Sequence, residues 1–343
     1  MSESTSAPRV IGESASFLEM QEHISRVAVL NKPVLIVGER GTGKELVAAR
    51  LHFLSRRWQQ NFLKINCAAM TESLLESQLF GHEAGAFTGA TKLRKGYFER
   101  ADGGTLFLDE LANTAMSVQE KILRVIEYGE FERLGGNEVI SVDVRLIAAT
   151  NEDLPELAKR NEFREDLLDR LAFDVITLPP LRERAEDILV LARHFAVGMV
   201  KEMGGEYFAG FSDKVERALI SYPWPGNIRE LKNVIERGVY QSGDGHIKQL
   251  VFNPFDSPYR PLPAAGTVGS KAAPVSQGSA SVTTPDLSKA ESFDFKNEVQ
   301  QFEINLLKQA LEQNQFNQKK AAEFLDLSYH QLRGYLRKYD LLN

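Results

Sequence analysis

Apolar and polar positions follow two rhythms along this chain. Four short runs are nearly continuous in apolar, largely β-branched residues: "PVLIVG" (33–38), "FLKINC" (62–67), "GTLFLDE" (104–110) and "VRLIAATN" (144–151). Runs of that length and composition predict buried strands. Between them apolar residues recur at helical spacing, as in "KELVAARLHFLSRR" and "MSVQEKILRVIEYG". Alternating strand and helix predicts an α/β fold, a parallel sheet with helices on both faces. From about Pro179 only the helical rhythm remains, near 186–203, 212–221 and 227–240, which predicts a purely helical lid.

Composition then shifts. After Phe255 a Pro-, Ser-, Gly-, Ala- and Thr-rich stretch has almost no large apolar residues and reads as a flexible tether. Helical periodicity resumes near Phe293. The expected divisions are 1–178 (nucleotide-binding α/β), 179–252 (lid), 253–292 (linker) and 293–343 (helical module). A net charge of −6 argues against a protein that coats nucleic acid along its whole surface but leaves room for a local basic module. The single cysteine, Cys67, excludes an intrachain disulfide. It points to a reducing compartment, and its apolar strand to an inert buried thiol. No run approaches the ~18 apolar residues of a membrane span and no signal peptide opens the chain, so a cytoplasmic protein without membrane insertion is expected. The six histidines are scattered without ligand spacing.

The first strand runs into "GERGTGKE", residues Gly38, Glu39, Arg40, Gly41, Thr42, Gly43, Lys44 and Glu45. Glycines let backbone N–H groups wrap phosphates, a helix N-terminus adds a favourable dipole, and Lys44 supplies countercharge. The strand–loop–helix setting favours phosphate binding over a plain glycine turn. Glu45 stands where a Ser or Thr usually holds magnesium. A second strand ends in Asp109 and Glu110. Two adjacent acids at the carboxyl edge of a parallel sheet suit Mg2+, held by Asp109 directly or through water, and a water polarised by Glu110; solvated acids at a strand end are the alternative. Thr150 and Asn151 reach the same edge, where a polar side chain can sense a γ-phosphate. Arg164 and Arg170 flank a short helix, and spacing alone leaves two readings open. They are fingers acting on a neighbour's nucleotide, or local partners of Glu165, Asp166 and Asp169. Arg229, in "WPGNIREL", begins a lid helix and can reach back to the phosphates.

Near the C-terminus, "NQKKAAEFLDLSYHQLRGYLRKYD" reads as two short helices around a turn at Asp326–Ser328. Asn317 caps the first helix; Ala321, Ala322, Phe324 and Leu325 bury it; Leu332, Tyr335 and Leu336 give the second its apolar face. Lys319, Lys320, Arg333, Arg337 and Lys338 make the segment locally basic. A helix-turn-helix would present Tyr329, His330, Gln331 and Arg333 to DNA; a basic dimerising hairpin is the competing reading. A preceding helix, near 296–313, would dimerise the module.

The stretch "GHEAGAFTGATK" (81–92) carries one large apolar side chain, Phe87, among glycines and alanines. Together "GERGTGKE", "GAFTGA", "GGTLFLDE", "FREDLLDRL" and "WPGNIRELKN" resemble the AAA+ bacterial enhancer-binding proteins, which activate the sigma-54 RNA polymerase holoenzyme. The resemblance spans about residues 10–240, and the C-terminal helices resemble that family's Fis-type DNA-binding module. It implies an AAA+ P-loop NTPase fold and ATP hydrolysis. It also implies a homo-oligomeric ring, a hexamer, acting from enhancer DNA. The family carries Glu at the position of Glu45. It also implies that the loop Gly85, Ala86, Phe87, Thr88, Gly89, Ala90 contacts sigma-54 through Phe87 and Thr88, and that Asn66 holds Glu110 away from water until the target is engaged. A second mobile loop is expected near 129–138. About 37 residues precede the phosphate loop, too few for a sensing domain of on the order of 100 residues. Resemblance to the phage-shock branch of the family implies a restraining partner in trans, of the PspA type. Trp58, among polar residues in "SRRWQQN", is its expected contact, with packing back on its own helix as the alternative. Two other functions stay open on the residues alone: a different AAA+ remodelling ATPase, or a DNA-binding regulator that does not hydrolyse ATP.

Overall fold

A computed structural model describes residues 10–243, 246–256, 300, 303–308, 310–311, 317–325, 327 and 329–339. The chain divides into two compact units, 1–262 and 263–343.

Five parallel strands form the sheet of the first unit: β1 (Val34–Val37), β2 (Phe62–Asn66), β3 (Thr105–Asp109), β4 (Arg145–Thr150) and β5 (Val175–Thr177). Their order is β2-β3-β4-β1-β5. The register sets Val37 beside Thr150 and Asn66 beside Asp109, so the strands end at one edge. Side chains alternate across the sheet. Leu106 and Leu108 join one core with Phe80, Phe98 and Ile122, while Phe107 joins the other with Ile24, Ile36 and Leu51. Both faces are covered, which is why these strands read as continuous apolar runs.

Two expectations need correction. β2 is an edge strand in which only Ile65 is buried. Cys67 is buried, but in the 3-10 turn Cys67–Ala69 that follows rather than in the strand; burial pushes its thiol up to about 12.

The helix Ala15–Ala28 is held at both ends. The Ser14 hydroxyl donates to Asp187 (2.9 Å). The buried Arg145 guanidinium donates to the Ala28 and Val27 carbonyls at 2.6 and 3.2 Å, satisfying groups that a helix C-terminus leaves free.

The lid packs helices Ala185–Glu202, Asp213–Ser221 and Asn227–Ser242 around a fully buried Trp224. The Trp224 indole N–H donates to the Leu219 carbonyl (2.8 Å). The lid is not purely helical, because Gly210–Phe211 and His246–Ile247 pair as short parallel strands. That pairing gives the end of the last helix a fixed attachment.

In the second unit, helices Gln318–Phe324 and Tyr329–Lys338 share a core of Leu307, Leu311, Ala321, Ala322, Leu332 and Leu336. The Asn317 side chain accepts from the backbone N–H of Lys319 and Lys320 (3.1 and 3.3 Å), an N-cap. Phe324 and Tyr335, expected to be buried, are exposed instead. The tether beyond Asp256, Asp326 and Ser328 of the turn, and much of the helix expected near 296–313 lie outside the described residues.

Candidate functional site

The phosphate loop leaves β1 at Gly38, whose N–H donates to the Thr150 carbonyl of β4 (3.2 Å). Gly41 and Gly43 take φ of +79° and +98°, values that side chains resist. The helix Lys44–Phe53 begins directly after Gly43. Lys44 is buried, with Nζ 2.8 Å from the Gly38 carbonyl and 3.2 Å from that of Glu39. Desolvation lowers its pKa, opposed by the charges of Asp109 and Glu110. Burial raises the pKa of Asp109, opposed by the hydrogen bond from the Glu110 N–H and by the charge of Lys44. Lysine and both acids thus feel one another within one site.

Glu110 adopts a left-handed backbone, φ 54° and ψ 44°, which aims its carboxylate away from the line of β3. Its N–H donates to Asp109 Oδ1 (3.0 Å), and its Oε2 lies 3.3 Å from Asn113 Nδ2 and 4.0 Å from an Arg40 nitrogen. Asn66 stands beside Asp109 in the sheet, but its Oδ1 accepts from the Ala68 N–H (2.9 Å), and Asn113 holds Glu110 instead. The Thr150 hydroxyl, buried, accepts from the Glu152 N–H (2.9 Å), and Asn151 donates to the Glu152 carboxylate (3.0 Å). Glu45 points to Lys64 (3.1 Å). The Thr42 hydroxyl donates to the Glu39 carbonyl (2.8 Å).

The lid seats directly on this loop. The N–H groups of Ile228 and Arg229 approach the Gly41 carbonyl at 3.0 and 3.3 Å. A Cβ on Gly41 would lie 2.3 Å from the Gly226 carbonyl oxygen, so the two backbones touch. Arg229 is close enough to Lys44 for its charge to oppose protonation there. Beside Thr42 and Gly43 lies a recess walled by Val10, Ile11, Leu178, His194, Phe195 and Ile228, with Arg184 at its edge. Arg184 is buried, and among the described residues its Nε and one terminal nitrogen have no hydrogen-bond partner. The sequence reading missed this recess, because its walls come from four separate segments.

The stretch 81–92 is a hairpin closed by Gly81–His82 pairing with Arg94–Lys95. At its tip Gly85 and Gly89 have positive φ with nothing nearby. The Ala90 carbonyl accepts from Gly85 (2.7 Å), and Ala90 donates to the Phe87 carbonyl (3.0 Å). Phe87 is 47% exposed and leans edge-on against His82 (ring centroids 4.9 Å apart). The base of the hairpin is tied to the second loop: Glu83 donates to the Leu134 carbonyl and Leu134 to that of Gly81 (3.0 and 3.1 Å). Arg133 bonds both Glu83 and Glu99.

Arg164 pairs with Asp166 (2.7 Å), as the local reading expected, whereas Arg170 pairs with Glu127 (2.7 Å) rather than with its sequence neighbours. Arg170 lines a cleft with Lys32 and Pro33, at the amino end of β1. Its own phosphate loop leaves the carboxyl end of that strand. Trp58 is 45% exposed, with its ring 6.2 Å from that of Phe53 at the end of the preceding helix. In the second unit Lys319, Lys320, His330, Gln331, Arg333 and Arg337 are exposed and Tyr329 is half-buried. Lys338 is exposed as well but already engages Glu303 (3.6 Å) and the Tyr339 hydroxyl.

Comparison with known proteins matches residues 10–177 to a sigma-54 interaction domain, 182–254 to an AAA+ ATPase lid domain and 298–339 to a bacterial regulatory protein module of the Fis family. The chain is 53% identical to the Psp operon transcriptional activator of Escherichia coli over 97% of its own length and 98% of that protein's. It is 50% identical to a Nif-specific regulatory protein of Azotobacter vinelandii over 71% of this chain but only 46% of that one. The crystal structure of NtrX from Brucella abortus in complex with ATP superposes with a TM-score of 0.67 at 29% identity, covering 96% of this chain and 69% of NtrX. The protein belongs to the sigma-54-dependent AAA+ activators, nucleotide-binding ATPases that carry a helix-turn-helix for DNA.

Proposed function

We propose that this chain is an ATP-driven activator of phage-shock, membrane-stress genes, which remodels sigma-54 RNA polymerase from upstream enhancer DNA. One observation carries the reading: a half-exposed Phe87 stands on a glycine-hinged hairpin in a molecule whose phosphate loop, paired acids and lid meet at one site. The near full-length likeness to the Psp operon activator supports the choice of target genes.

ATP fits the site. Backbone N–H groups of 41–44 and the Lys44 ammonium would hold the phosphates, with Arg229 closing from the lid. The recess beside Thr42 offers apolar walls for a base and Arg184 donors for its edge. Mg2+ also fits, since Asp109 is a half-buried acid facing Lys44; bound there by Asp109, it would neutralise charge on the phosphates. Glu110 Oε2 would take the proton of an attacking water once released from Asn113, the amide that holds it in this structure; Asn66, whose Oδ1 accepts from the Ala68 N–H, would have to turn to take over that restraint. Thr150 and Asn151 would sense the γ-phosphate. Arg164 and Arg170 would act on the nucleotide of an adjacent subunit in a ring, a hexamer by analogy. Trp58 would receive a restraining partner of the PspA type. Lys319, Lys320, Tyr329, His330, Gln331, Arg333, Arg337 and Lys338 would meet DNA. The described residues include no helix long and apolar enough to cross a membrane; action in the cytoplasm is part of the proposal.

In vitro transcription with sigma-54 or the ordinary sigma factor, each with and without ATP, tests the reading. Only sigma-54 with ATP should yield transcript. Lys44→Ala should lose ATP binding, whereas Glu110→Gln should bind ATP and hardly hydrolyse it. Transcript without ATP, or equal loss of binding in both variants, would refute the scheme.

A further inference from the structure

Glu39 lies inside the phosphate loop, where a nucleotide contact is expected of it. Its carboxylate faces elsewhere. Both oxygens accept from the Arg182 guanidinium, at 2.7 and 2.9 Å. Oε2 also accepts from Asn227 Nδ2 at 3.0 Å. Arg182 belongs to the turn Leu181–Glu183 that enters the lid, and Asn227 opens the last lid helix. One carboxylate therefore ties the entry turn of the lid to the start of its last helix.

Asn227 is built for this position. It is fully buried and adopts φ +52°, a conformation that asparagine tolerates better than most residues. Its Oδ1 accepts from the Leu181 N–H (2.8 Å), and Nδ2 donates a second time, to the Arg40 carbonyl (3.1 Å). One amide thus joins the phosphate loop, the entry turn and the lid helix. The backbone of Glu39 faces the other way. Its carbonyl accepts from the Thr42 hydroxyl (2.8 Å) and from Lys44 Nζ (3.2 Å). Lys44 Nζ thus spends two of its three N–H donors on the Gly38 and Glu39 carbonyls, and phosphates at Lys44 would draw on the same ammonium that the Glu39 carbonyl shares.

We propose that Glu39 is a positioning residue that links phosphate occupancy to lid orientation: its carbonyl senses the Lys44 ammonium, and its carboxylate moves the lid through Arg182 and Asn227. The inference rests on the ATPase reading of the site. It separates lid coupling from nucleotide contact within a single residue, and it gives Arg182 and Asn227 a part in the reaction although neither touches the phosphate-binding N–H groups.

The test uses the full chain. ATPase kcat and KM and the ADP dissociation constant are measured for wild type, Glu39→Gln, Arg182→Met and the double variant. Arg182 is half-exposed, and methionine keeps most of its stem, so folding is not at stake there. Each single variant should lose about tenfold in kcat with ADP affinity altered less than about threefold. The double variant should be no worse than either single one, the signature of a shared interaction, and Arg182→Lys should recover part of the loss. Spin labels on cysteines at Leu18 and Tyr207, both well exposed, then report the lid; Cys67, buried with its thiol pushed up to about 12, stays unlabelled. The interlabel distance should shift on adding ADP to wild type and stay fixed in Arg182→Met. A large rise in the ADP dissociation constant with kcat unchanged would make Glu39 a nucleotide contact and overturn the proposal. Additive losses, or a lid that shifts equally in both proteins or in neither, would overturn it as well. A wild type that binds ADP but does not hydrolyse ATP would defeat the ATPase reading, while the distance measurement would still decide the link.

Discussion

Phe87 is exposed against its chemistry, and the reason lies in its neighbours. With glycine on either side of Ala86–Thr88 and His82 edge-on against the ring, the loop leaves it half exposed. Truncating a core Phe costs about 3–5 kcal/mol; truncating one that is half in water should cost about 1 kcal/mol. Phe87→Ala and Thr88→Ala should therefore shift thermal unfolding by only a few degrees and keep ATPase within a few-fold of wild type. Both should abolish sigma-54 activation. A large drop in melting temperature would assign Phe87 to packing. At this scale the sequence was most legible where chemistry is local. Lys44 follows its glycines, and Asp109–Glu110 ends a strand, so each is visible in a dozen residues. Asn227 was not. Its partner Glu39 is 188 residues away, and no pattern announces a left-handed asparagine inside "WPGNIREL". Phe324 erred in the other direction, since helical spacing alone placed a large side chain inward that the small two-helix module leaves exposed.

Among elements, β1, β3 and β4 were readable because both faces of the sheet are covered there, which removes polar positions from the pattern. The three-residue β5 carries too little pattern to stand out, and the edge position of β2 is a property of strand order, invisible in its own residues. The contact between lid and phosphate loop is the element-scale feature with a pH signature. Hydrogen bonds from Arg182 and then Asn227 hold Glu39 at a pKa of about 2, against an ordinary value of 4.5. A carboxylate depressed in the folded state adds stability that is complete above its unfolded pKa and is lost as pH falls toward the folded one. The stability difference between wild type and Glu39→Gln should thus be constant above pH 4.5 and shrink between there and about 2. Because the pair is largely solvent-exposed, screening keeps the difference small. Denaturant unfolding at stepped pH measures it, and a difference that persists unchanged at pH 2 would mean the carboxylate is not held this way.

For the whole molecule, the placement of Arg170 sets the terms of assembly. It lines a cleft at the amino end of β1, across the sheet from the phosphate loop of its own chain. That placement suits the proposed action on a neighbour's nucleotide. If the proposed ring forms, ATPase per subunit should rise with protein concentration, and mixing Arg170→Ala with Lys44→Ala chains should restore turnover that neither shows alone. Concentration-independent activity, with no rescue on mixing, would leave Arg170 as the partner of Glu127.

The backbone of Glu110 has a consequence for how this protein tolerates change. A non-glycine residue at φ 54° carries strain of roughly 1–2 kcal/mol, and glycine would relieve it. Glycine would also remove the carboxylate. If Glu110 polarises the attacking water as proposed, variants selected for heat resistance alone are drawn toward substitutions at position 110 that toughen the fold and silence the motor. On that role, any programme of thermostabilisation has to screen for turnover at the same time, because durability and catalysis would compete for a single residue.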